Sequence, residues 1–113
     1  MNSKKDKGDR AEREAADYLS DRLPWKARRK LGAGRLDDMG DIELEGCKDV
    51  VIQVADWADK NAACLQKPRE AEMQRWNAKA KYAASMIRWR GGHWRMVMTV
   101  DQFARLLRDA VDE

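Results

Sequence analysis

The sequence predicts a single α/β domain built around a mixed β-sheet. Segments with helical periodicity lie near both ends of the chain and in its second half, and runs rich in Val and Ile lie between them. Helices and strands that alternate in this way pack as layers around one hydrophobic core. The 113 residues suit one domain of this kind.

The first helix is expected to begin near Asp9. Asp9 and Glu12 have the spacing of a capping box, with Asp in the place of Ser or Thr, and Pro24 ends the helix. The lysine-rich residues 1–8 are predicted to be a flexible basic arm, which leaves 9–113 as the folded domain. The apolar stripe of the helix consists of Ala11, Ala15, Tyr18 or Leu19, and Leu23.

Three strands should follow the first helix. Residues 25–31 suggest a short edge strand, and a glycine-rich loop leads from it to clearer strands at 41–44 and 49–57. The four residues between these two strands include a glycine and suit a hairpin turn. The second hairpin strand is rich in Val and Ile, so it should lie at the centre of the sheet.

A helix of about four turns is predicted over residues 69–85. Residues 58–68 are ambiguous, because Pro68 either breaks a helix or begins the next one. The expected apolar stripe consists of Ala71 or Met73, Trp76, Ala80, and Ala83 or Ala84.

The chain should end with a pair of strands and a helix. Residues 86–90 and 94–100 are expected to pair around a Gly-Gly-His turn, and Asp101 is expected to cap the last helix. The predicted buried stripe of this helix consists of Phe103, Leu106, Leu107, and Ala110 or Val111.

Charge is distributed unevenly along the chain, whose net charge is +3. An acidic centre, with a net charge of −6 over residues 36–64, lies between basic flanks of +5 over 1–35 and +6 over 65–100. Basic flanks suit a polyanion such as DNA. An acidic centre would repel phosphate unless some of its carboxylates hold a divalent cation. The alternative explanation is charge alternation on a solvated surface.

Composition argues against several classes of protein. No stretch approaches the roughly 20 apolar residues that span a bilayer, and the N-terminal residues lack the apolar segment of a secretory signal. The two cysteines, Cys47 and Cys64, do not form a zinc or disulfide pattern, and the single histidine, His93, does not suit a multi-histidine site. We therefore expect a cytoplasmic protein with no membrane partner.

The hairpin carries the candidate chemistry. Asp41 and Glu43 share one face of their strand, and pairing across the turn can bring Asp41 near Gln53. Glu12, at the start of the first helix, could approach the same end of the sheet. Carboxylates and an amide carbonyl can ligate a divalent metal, which polarises a phosphoryl oxygen and activates water. The alternative is that Asp41 is a turn residue, Glu43 is solvated and Glu12 only caps its helix.

These segments, in this order, resemble the archaeal-type Holliday junction resolvases and related small phage endonucleases of the PD-(D/E)XK superfamily. The resemblance covers residues 5–110 and is carried by KGDRAERE, a basic strand, a glycine-rich loop, GDIEL and VVIQVAD. It implies a restriction-endonuclease-like mixed sheet flanked by helices, and DNA hydrolysis in recombination with Mg²⁺ or Mn²⁺. It also implies that Glu12, Asp41 and Gln53 are the metal-binding and catalytic positions. The shortness of the chain suggests a prokaryotic or phage-infected host cell.

Two positions depart from the pattern of that superfamily. Gln53 stands where a carboxylate is usual, and Ala55 stands where a lysine orients or activates the water. Three explanations stay open: the lysine has migrated, with Lys60 and Lys79 as candidates; the chain is a degenerate nuclease that binds DNA without cutting it; or both residues are engineered inactivating changes. Whether the chain is an enzyme is therefore open at this stage.

Basic residues offer contacts to DNA around the candidate site. No base-reading motif is visible, so recognition would depend on the phosphate backbone and on shape. Whether the preferred DNA is a four-way junction, a flap or a plain duplex stays open. The alternative is that these charges only keep the chain soluble. The residues expected to bind DNA are Lys4, Lys5, Lys7, Arg28, Arg29, Lys30, Arg35 and Lys79.

The five tryptophans are expected to pack in the core or at a subunit interface rather than to stack on bases. A domain of this size with so much aromatic surface suggests a homodimer, whose two-fold symmetry would match a four-way junction. The remaining class is a protein-interaction protein that reuses the scaffold and turns its basic patches toward an acidic partner.

Overall fold

The computed structural model describes residues 3–30 and 40–112, with side chains described from Lys7 onward. Its elements are α1 (Ser3–Ser20), β1 (Ala27–Arg29), β2 (Ile42–Leu44), β3 (Cys47–Ala55), α2 (Lys60–Ala78), β4 (Tyr82–Trp89), β5 (His93–Val97) and α3 (Val100–Val111). The predicted α/β class with one mixed sheet is confirmed. None of these helices is both long enough and apolar enough to cross a membrane.

The sheet has its strands in the order β1-β2-β3-β4-β5. The first three strands pair antiparallel, β3 and β4 pair parallel, and β4 and β5 pair antiparallel. Parallel neighbours need a crossover connection, which α2 provides. The predictions that β1 is an edge strand and that β3 is central are therefore confirmed.

Helices cover both faces of β3. On one face, Ile52 and Val54 cluster with the apolar stripe of α1, and on the other face Ala55 packs with Ala63 of α2. Because side chains alternate along a strand, Gln53 shares the α2 face with Ala55. The predicted burial of the α1 stripe is confirmed at Ala11, Ala15 and Leu19.

Helix α1 begins earlier than expected. Residues 3–8, which we predicted to be a flexible arm, have helical backbone, and the run contains no proline and a single glycine. Asp9 is consequently a residue of the helix rather than its cap. Its Oδ1 accepts a hydrogen bond from Nη2 of Arg29 in β1 at 2.9 Å.

Helix α2 also begins earlier than expected. Asp59 is its N-cap and accepts a hydrogen bond from the Ala62 N–H, and Pro68 lies buried within the helix instead of breaking it. The helix ends at Ala78, followed by Lys79 in the left-handed conformation. The predicted stripe is correct at Ala71, which is buried, but wrong at Met73 and Trp76, which are exposed.

Residues 82–85, predicted to be helical, form the first half of β4. Alanine favours helices, so the local sequence predicted a helix where the structure has a strand. Ala83, Ala84 and Ser85 are buried beside β3, with which all three pair, and Ser85 also pairs with β5. Tertiary context therefore overrides local propensity here.

Helix α3 differs most from its prediction. Its N-cap is Thr99 rather than Asp101, and the Thr99 hydroxyl accepts a hydrogen bond from the Gln102 N–H at 3.1 Å. The apolar stripe that we expected to be buried is largely exposed, and the buried residue of the helix is Gln102.

The tryptophans divide into two groups. Trp57, Trp89 and Trp94 pack against the two hydrophobic clusters, as expected for core residues. Trp25 and Trp76 are exposed.

Candidate functional site

The carboxyl-terminal half of β3 brings together most of the residues singled out in the sequence. We call this region the β3 site, and it comprises Glu12, Arg29, Asp41, Gln53, Asp56 and Lys67. Gly40 lets the chain enter it: its φ is 102°, and a Cβ there would lie 3.0 Å from Cγ1 of Val51. Only glycine tolerates this conformation and this closeness to β3, so the following residue is held against the strand.

Asp41 is attached to β3 through its backbone and its side chain. Its N–H donates to the Ile52 carbonyl at 2.9 Å, and its Oδ2 accepts from the Val54 N–H at 2.8 Å. These two residues flank Gln53, so the expected proximity of Asp41 to Gln53 is found. The carboxylate satisfies a β3 N–H beyond the end of β2, where the ladder between the two strands stops.

Gln53 is buried and already holds a cation supplied by the chain. Its Oε1 accepts a hydrogen bond from Nζ of Lys67, in α2, at 3.1 Å. The same ammonium lies 3.0 Å from Glu70 Oε2 and 5.2 Å from the centre of the Trp57 ring. The amide carbonyl of Gln53 therefore faces an ammonium group on the α2 side of the sheet.

Glu12 lies on the other side of the sheet, on α1. Its Oε1 accepts from Nε of Arg29 at 3.2 Å, while Arg29 also binds Asp9. Glu12 and Gln53 thus have separate cationic partners on opposite faces of β3. Within residues 3–30 and 40–112, no group of three or more His, Cys, Asp or Glu side chains could hold a metal ion.

These contacts do not fit the metal centre expected from the sequence. A hard divalent cation needs several oxygen ligands that converge on one point. Glu12, Asp41 and Gln53 instead bind a guanidinium, a backbone N–H and an ammonium. As arranged here, the three side chains do not form a common oxygen-lined pocket.

The lysine that contacts Gln53 is one that sequence reasoning did not assign to this site, whereas Lys60, which it did name, reaches only Asp56. Lys60 pairs with Asp56, at 3.6 Å, and Lys79 lies at the opposite end of α2, near the start of β3. Lys67 is the lysine that contacts Gln53. The signal that could have identified it is Asp59, since a helix capped there carries Lys67 about two turns along its length, above β3.

A cleft of about 450 Å³ lies between α1 and the carboxyl end of β3. Ala55 lines this cleft together with Glu12 and Asp56. Lys7 and Lys60 approach Asp56 Oδ1 to 3.9 Å and 3.6 Å. The cleft therefore presents both signs of charge. Sequence reasoning did not identify Asp56, although it directly follows the central strand.

Several of the predicted DNA-binding residues surround the β3 site. The backbone N–H of Lys30 donates to the main-chain carbonyl of Asp41 at 2.8 Å, which places the Lys30 backbone next to Asp41. Arg28 is exposed and pairs with Glu43 at 2.7 Å, and this hydrogen bond raises the pKa of Arg28 above its ordinary value. Lys7 borders the cleft, whereas Arg29 is engaged with Asp9 and Glu12.

The remaining predicted DNA-binding residues either lie far from the β3 site or fall outside the described residues. Lys79 is exposed at the far end of α2, in a shallow pocket with Arg75 and Trp76. Arg35 and the side chains of Lys4 and Lys5 lie outside the described residues. The basic surface that the structure describes near the β3 site is therefore formed by α1 and β1.

Comparisons of the chain with protein-family models, with curated proteins and with solved structures found no match. Its function is therefore inferred from the β3 site and its surroundings.

Proposed function

We propose that the chain is a structure-selective DNA-binding protein of the Holliday junction resolvase type that holds DNA beside the β3 site without hydrolysing it. The observation that carries the proposal is the binding of Lys67 to Gln53 and of Arg29 to Glu12. In this chain, cationic side chains thus bind the residues at the positions where the resembling nucleases bind metal.

The order of the elements supports the scaffold. A helix, three antiparallel strands, a crossover helix and a parallel strand follow one another, as the resemblance implies. Glu12 lies on the first helix, Asp41 directly before β2, and Gln53 near the end of β3. This agreement in order and position supports the lineage independently of whether the chain cuts DNA.

The charges near the β3 site support contact with phosphate. Lys7 lies on α1 and approaches Asp56, Arg28 lies on β1, and Lys30 directly follows β1. Lys7 and Arg28 are exposed. Lysine and arginine can hold a phosphate backbone without a metal ion, because the release of counterions from DNA drives binding. Backbone contacts of this kind position a protein on DNA but do not read its sequence.

Hydrolysis with Mg²⁺ or Mn²⁺ is the alternative function. It would require Gln53 to leave Lys67 and Glu12 to leave Arg29, so that both could turn toward Asp41. It would also require another group to do the work of the lysine that Ala55 replaces. For these reasons we propose binding rather than cleavage.

Binding is tested by fluorescence anisotropy with a labelled four-way junction and a duplex of the same composition, each in EDTA and in Mg²⁺. We expect tighter binding to the junction, equal affinity with and without the metal, and affinity that falls as salt rises. Six phosphate contacts would give a log–log slope of about −5. Absence of salt-dependent DNA binding would contradict the proposal and favour the protein-interaction alternative.

The position of the DNA is tested with two single lysine substitutions. Lys30→Gln removes a charge from the residue whose backbone contacts Asp41, and Lys79→Gln removes the same charge at the far end of α2. If DNA lies over the β3 site, Lys30→Gln makes the salt slope shallower by about one, and Lys79→Gln leaves it unchanged. The reverse result would place the DNA at the other end of the sheet.

The absence of cleavage is tested by incubating the junction with Mg²⁺ and with Mn²⁺. We expect the unaltered chain to bind without cutting. The double substitution Gln53→Glu with Ala55→Lys restores the superfamily pattern, and cutting by this variant would support a degenerate nuclease. Cutting by the unaltered chain that Asp41→Asn abolishes would show that the alternative is correct.

A further inference from the structure

The hairpin formed by β4 and β5 is strongly basic. Its two strands and turn carry Arg88, Arg90, His93 and Arg95, and no aspartate or glutamate. Arg88 pairs with Glu14 of α1 at 2.6 Å, but Arg90 and Arg95 are exposed and have no ion-pair partner among the described residues. The hairpin therefore carries positive charge that the chain itself does not neutralise. Sequence reasoning selected none of these residues for DNA binding.

Two tryptophans fix this hairpin to the rest of the molecule. Trp94 packs against the hydrophobic cluster that contains the α1 stripe, and Trp89 packs against the cluster on the α2 face of the sheet. The Arg95 guanidinium lies 4.9 Å from the centre of the Trp89 ring. Such a contact orients the guanidinium but leaves its charge in place and its in-plane N–H donors available to an anion.

The turn of the hairpin allows a ligand to approach closely. Gly91 and Gly92 have φ angles of 79° and 78°, in the left-handed region that favours glycine, and neither carries a side chain. Arg90 precedes the two glycines, and His93 follows them as an exposed residue. The tip of the hairpin therefore combines bare backbone with a cation.

The hairpin lies at the same end of the sheet as the β3 site. Strands β3 and β4 are parallel and Ala55 pairs with Ile87, so the last residues of β4 and the turn extend beyond the carboxyl end of β3. An opening of about 310 Å³ between α1 and β4 is lined by Lys7, Asp56 and Arg88, among others. Lys7 and Asp56 also line the cleft of the β3 site. One continuous surface therefore joins the hairpin to that site.

We propose that the β4–β5 hairpin is a second DNA-contacting element, which binds the phosphate backbone of a duplex arm lying across the β3 site. The inference deepens the proposed function and rests on it. Strands β1 and β5 are the two edges of the five-stranded sheet. Four strand spacings separate them by about 19 Å. A duplex spans this width with about six base pairs, so Arg28 and the hairpin contact it on opposite sides of the β3 site.

DNA fits this surface better than an acidic protein segment does. Duplex DNA carries one negative charge for about every 1.7 Å of its axis, so it presents phosphates to both edges of the sheet at once. Its major groove also admits a two-stranded β-ribbon. An acidic segment would instead have to add a strand to the free edge of β5. That edge has five residues and carries Arg95, and short, charged edge strands disfavour such pairing.

The contact is tested through the salt dependence of binding to the labelled junction. Arg90→Gln and Arg95→Gln should each make the log–log slope shallower by about one, because each removes a phosphate contact. Arg90→Lys should keep the slope of the unaltered chain, because an ammonium group also binds phosphate. Arg108→Gln is the matched control: Arg108 is exposed on α3, which contacts the opposite end of β4, and its loss should leave the slope unchanged.

Proximity is tested separately with a photo-crosslinking amino acid. We expect p-benzoylphenylalanine in place of Arg90 to crosslink to the junction on irradiation, and the same amino acid in place of Arg108 not to do so. Circular dichroism should show that all variants keep the fold. Unchanged slopes in both glutamine variants, or crosslinking from position 108 instead of 90, would overturn the inference.

The outcomes also separate this inference from the proposed function. If Lys30→Gln makes the slope shallower and the hairpin variants do not, the chain binds DNA over the β3 site but the hairpin takes no part. If the unaltered chain does not bind DNA, both proposals fail. Polyglutamate is the comparison ligand: binding that depends on Arg90 in a chain that ignores DNA would assign the hairpin to an acidic protein and overturn the inference.

Discussion

Helices α1 and α3 border the same groove but pack in opposite ways. Helix α1 turns Ala11, Ala15 and Leu19 onto the sheet, whereas α3 turns Gln102 inward and leaves its leucines exposed. Small apolar residues let α1 lie close to the strands. Helix α3 is instead attached by polar contacts at its inner side. The comparison shows that helical periodicity identifies an apolar stripe but does not identify what the stripe will contact.

The largest expected difference is between the losses in free energy of unfolding when a leucine of α1 and a leucine of α3 are each replaced by alanine. Leu19→Ala removes a buried side chain and should lower the free energy of unfolding by about 2–5 kcal/mol. Leu107→Ala removes an exposed one and should change it by about 0.5 kcal/mol or less within a single copy. Urea denaturation at a concentration where the chain is monomeric measures both. Equal losses would mean that α3 is packed like α1.

The polar attachment of α3 depends most on Gln102. Gln102→Ala leaves the buried Ala83 N–H without its side-chain acceptor, so the free energy of unfolding should fall by about 1–3 kcal/mol. Gln66→Ala, at an exposed position of α2, is the control and should have little effect. If the two variants unfold alike in urea, Gln102 does not hold α3 in place.

The stability that Asp109 contributes should depend on pH in a defined direction. The hydrogen bond from Tyr82 and the ammonium of Lys81 lower the pKa of Asp109, so its folded-state value lies below its unfolded value. Its contribution is therefore present above the ordinary aspartate range, near pH 4, and is lost as pH falls through the lowered pKa. Melting temperatures of the unaltered chain and of Asp109→Asn should converge in acid.

At alkaline pH the stability that this cluster contributes is lost as pH rises rather than as it falls. The hydrogen bond to Asp109 raises the pKa of Tyr82, and the same carboxylate raises the pKa of Lys81. Their contribution is present below the ordinary tyrosine and lysine values, near pH 10, and is lost as pH rises through the raised values. A difference in melting temperature that stays constant at both extremes would contradict the role given to this cluster.

The smallest expected effect concerns the ion pair between α1 and β4. Arg88 Nε lies 2.6 Å from Glu14 Oε2, and this hydrogen bond raises the pKa of Arg88. The pair is partly exposed, so Glu14→Gln should cost about 0.5 kcal/mol, and added salt should reduce the difference. A loss as large as that of Leu19→Ala would mean that charge, not the apolar stripe, attaches α1.

Much of the first half of the fold could be predicted from the sequence. The pairing of β2 with β3, the central position of β3 and the stripe of α1 follow from periodicity. The hairpin turn is shorter than expected: it consists of Glu45 and Gly46, and β3 begins at Cys47 rather than at residue 49. The strand at Tyr82–Ser85 could not be predicted, because alanines such as Ala83 and Ala84 favour a helix and only their pairing with β3 makes them a strand. The early start of α2 could not be predicted, because a proline such as Pro68 usually breaks a helix, whereas here it lies within one.

The contacts of the β3 site could likewise be predicted only in part from the sequence. The adjacency of Asp41 and Gln53 follows from hairpin register, which is a local property of two consecutive strands. The contacts of Gln53 with Lys67 and of Glu12 with Arg29 join residues on different elements. No local pattern specifies them, because they depend on which helix crosses which face of the sheet.

By itself the sequence determined the layered α/β class, the order of the first three strands and the residues at the end of β3, since these depend on side-chain periodicity and short turns. The tertiary structure alone decided that cationic side chains bind Gln53 and Glu12, and that α3 turns its polar side inward. The physical reason is that a buried polar group must find a partner, and the available partners are known only once the helices have packed.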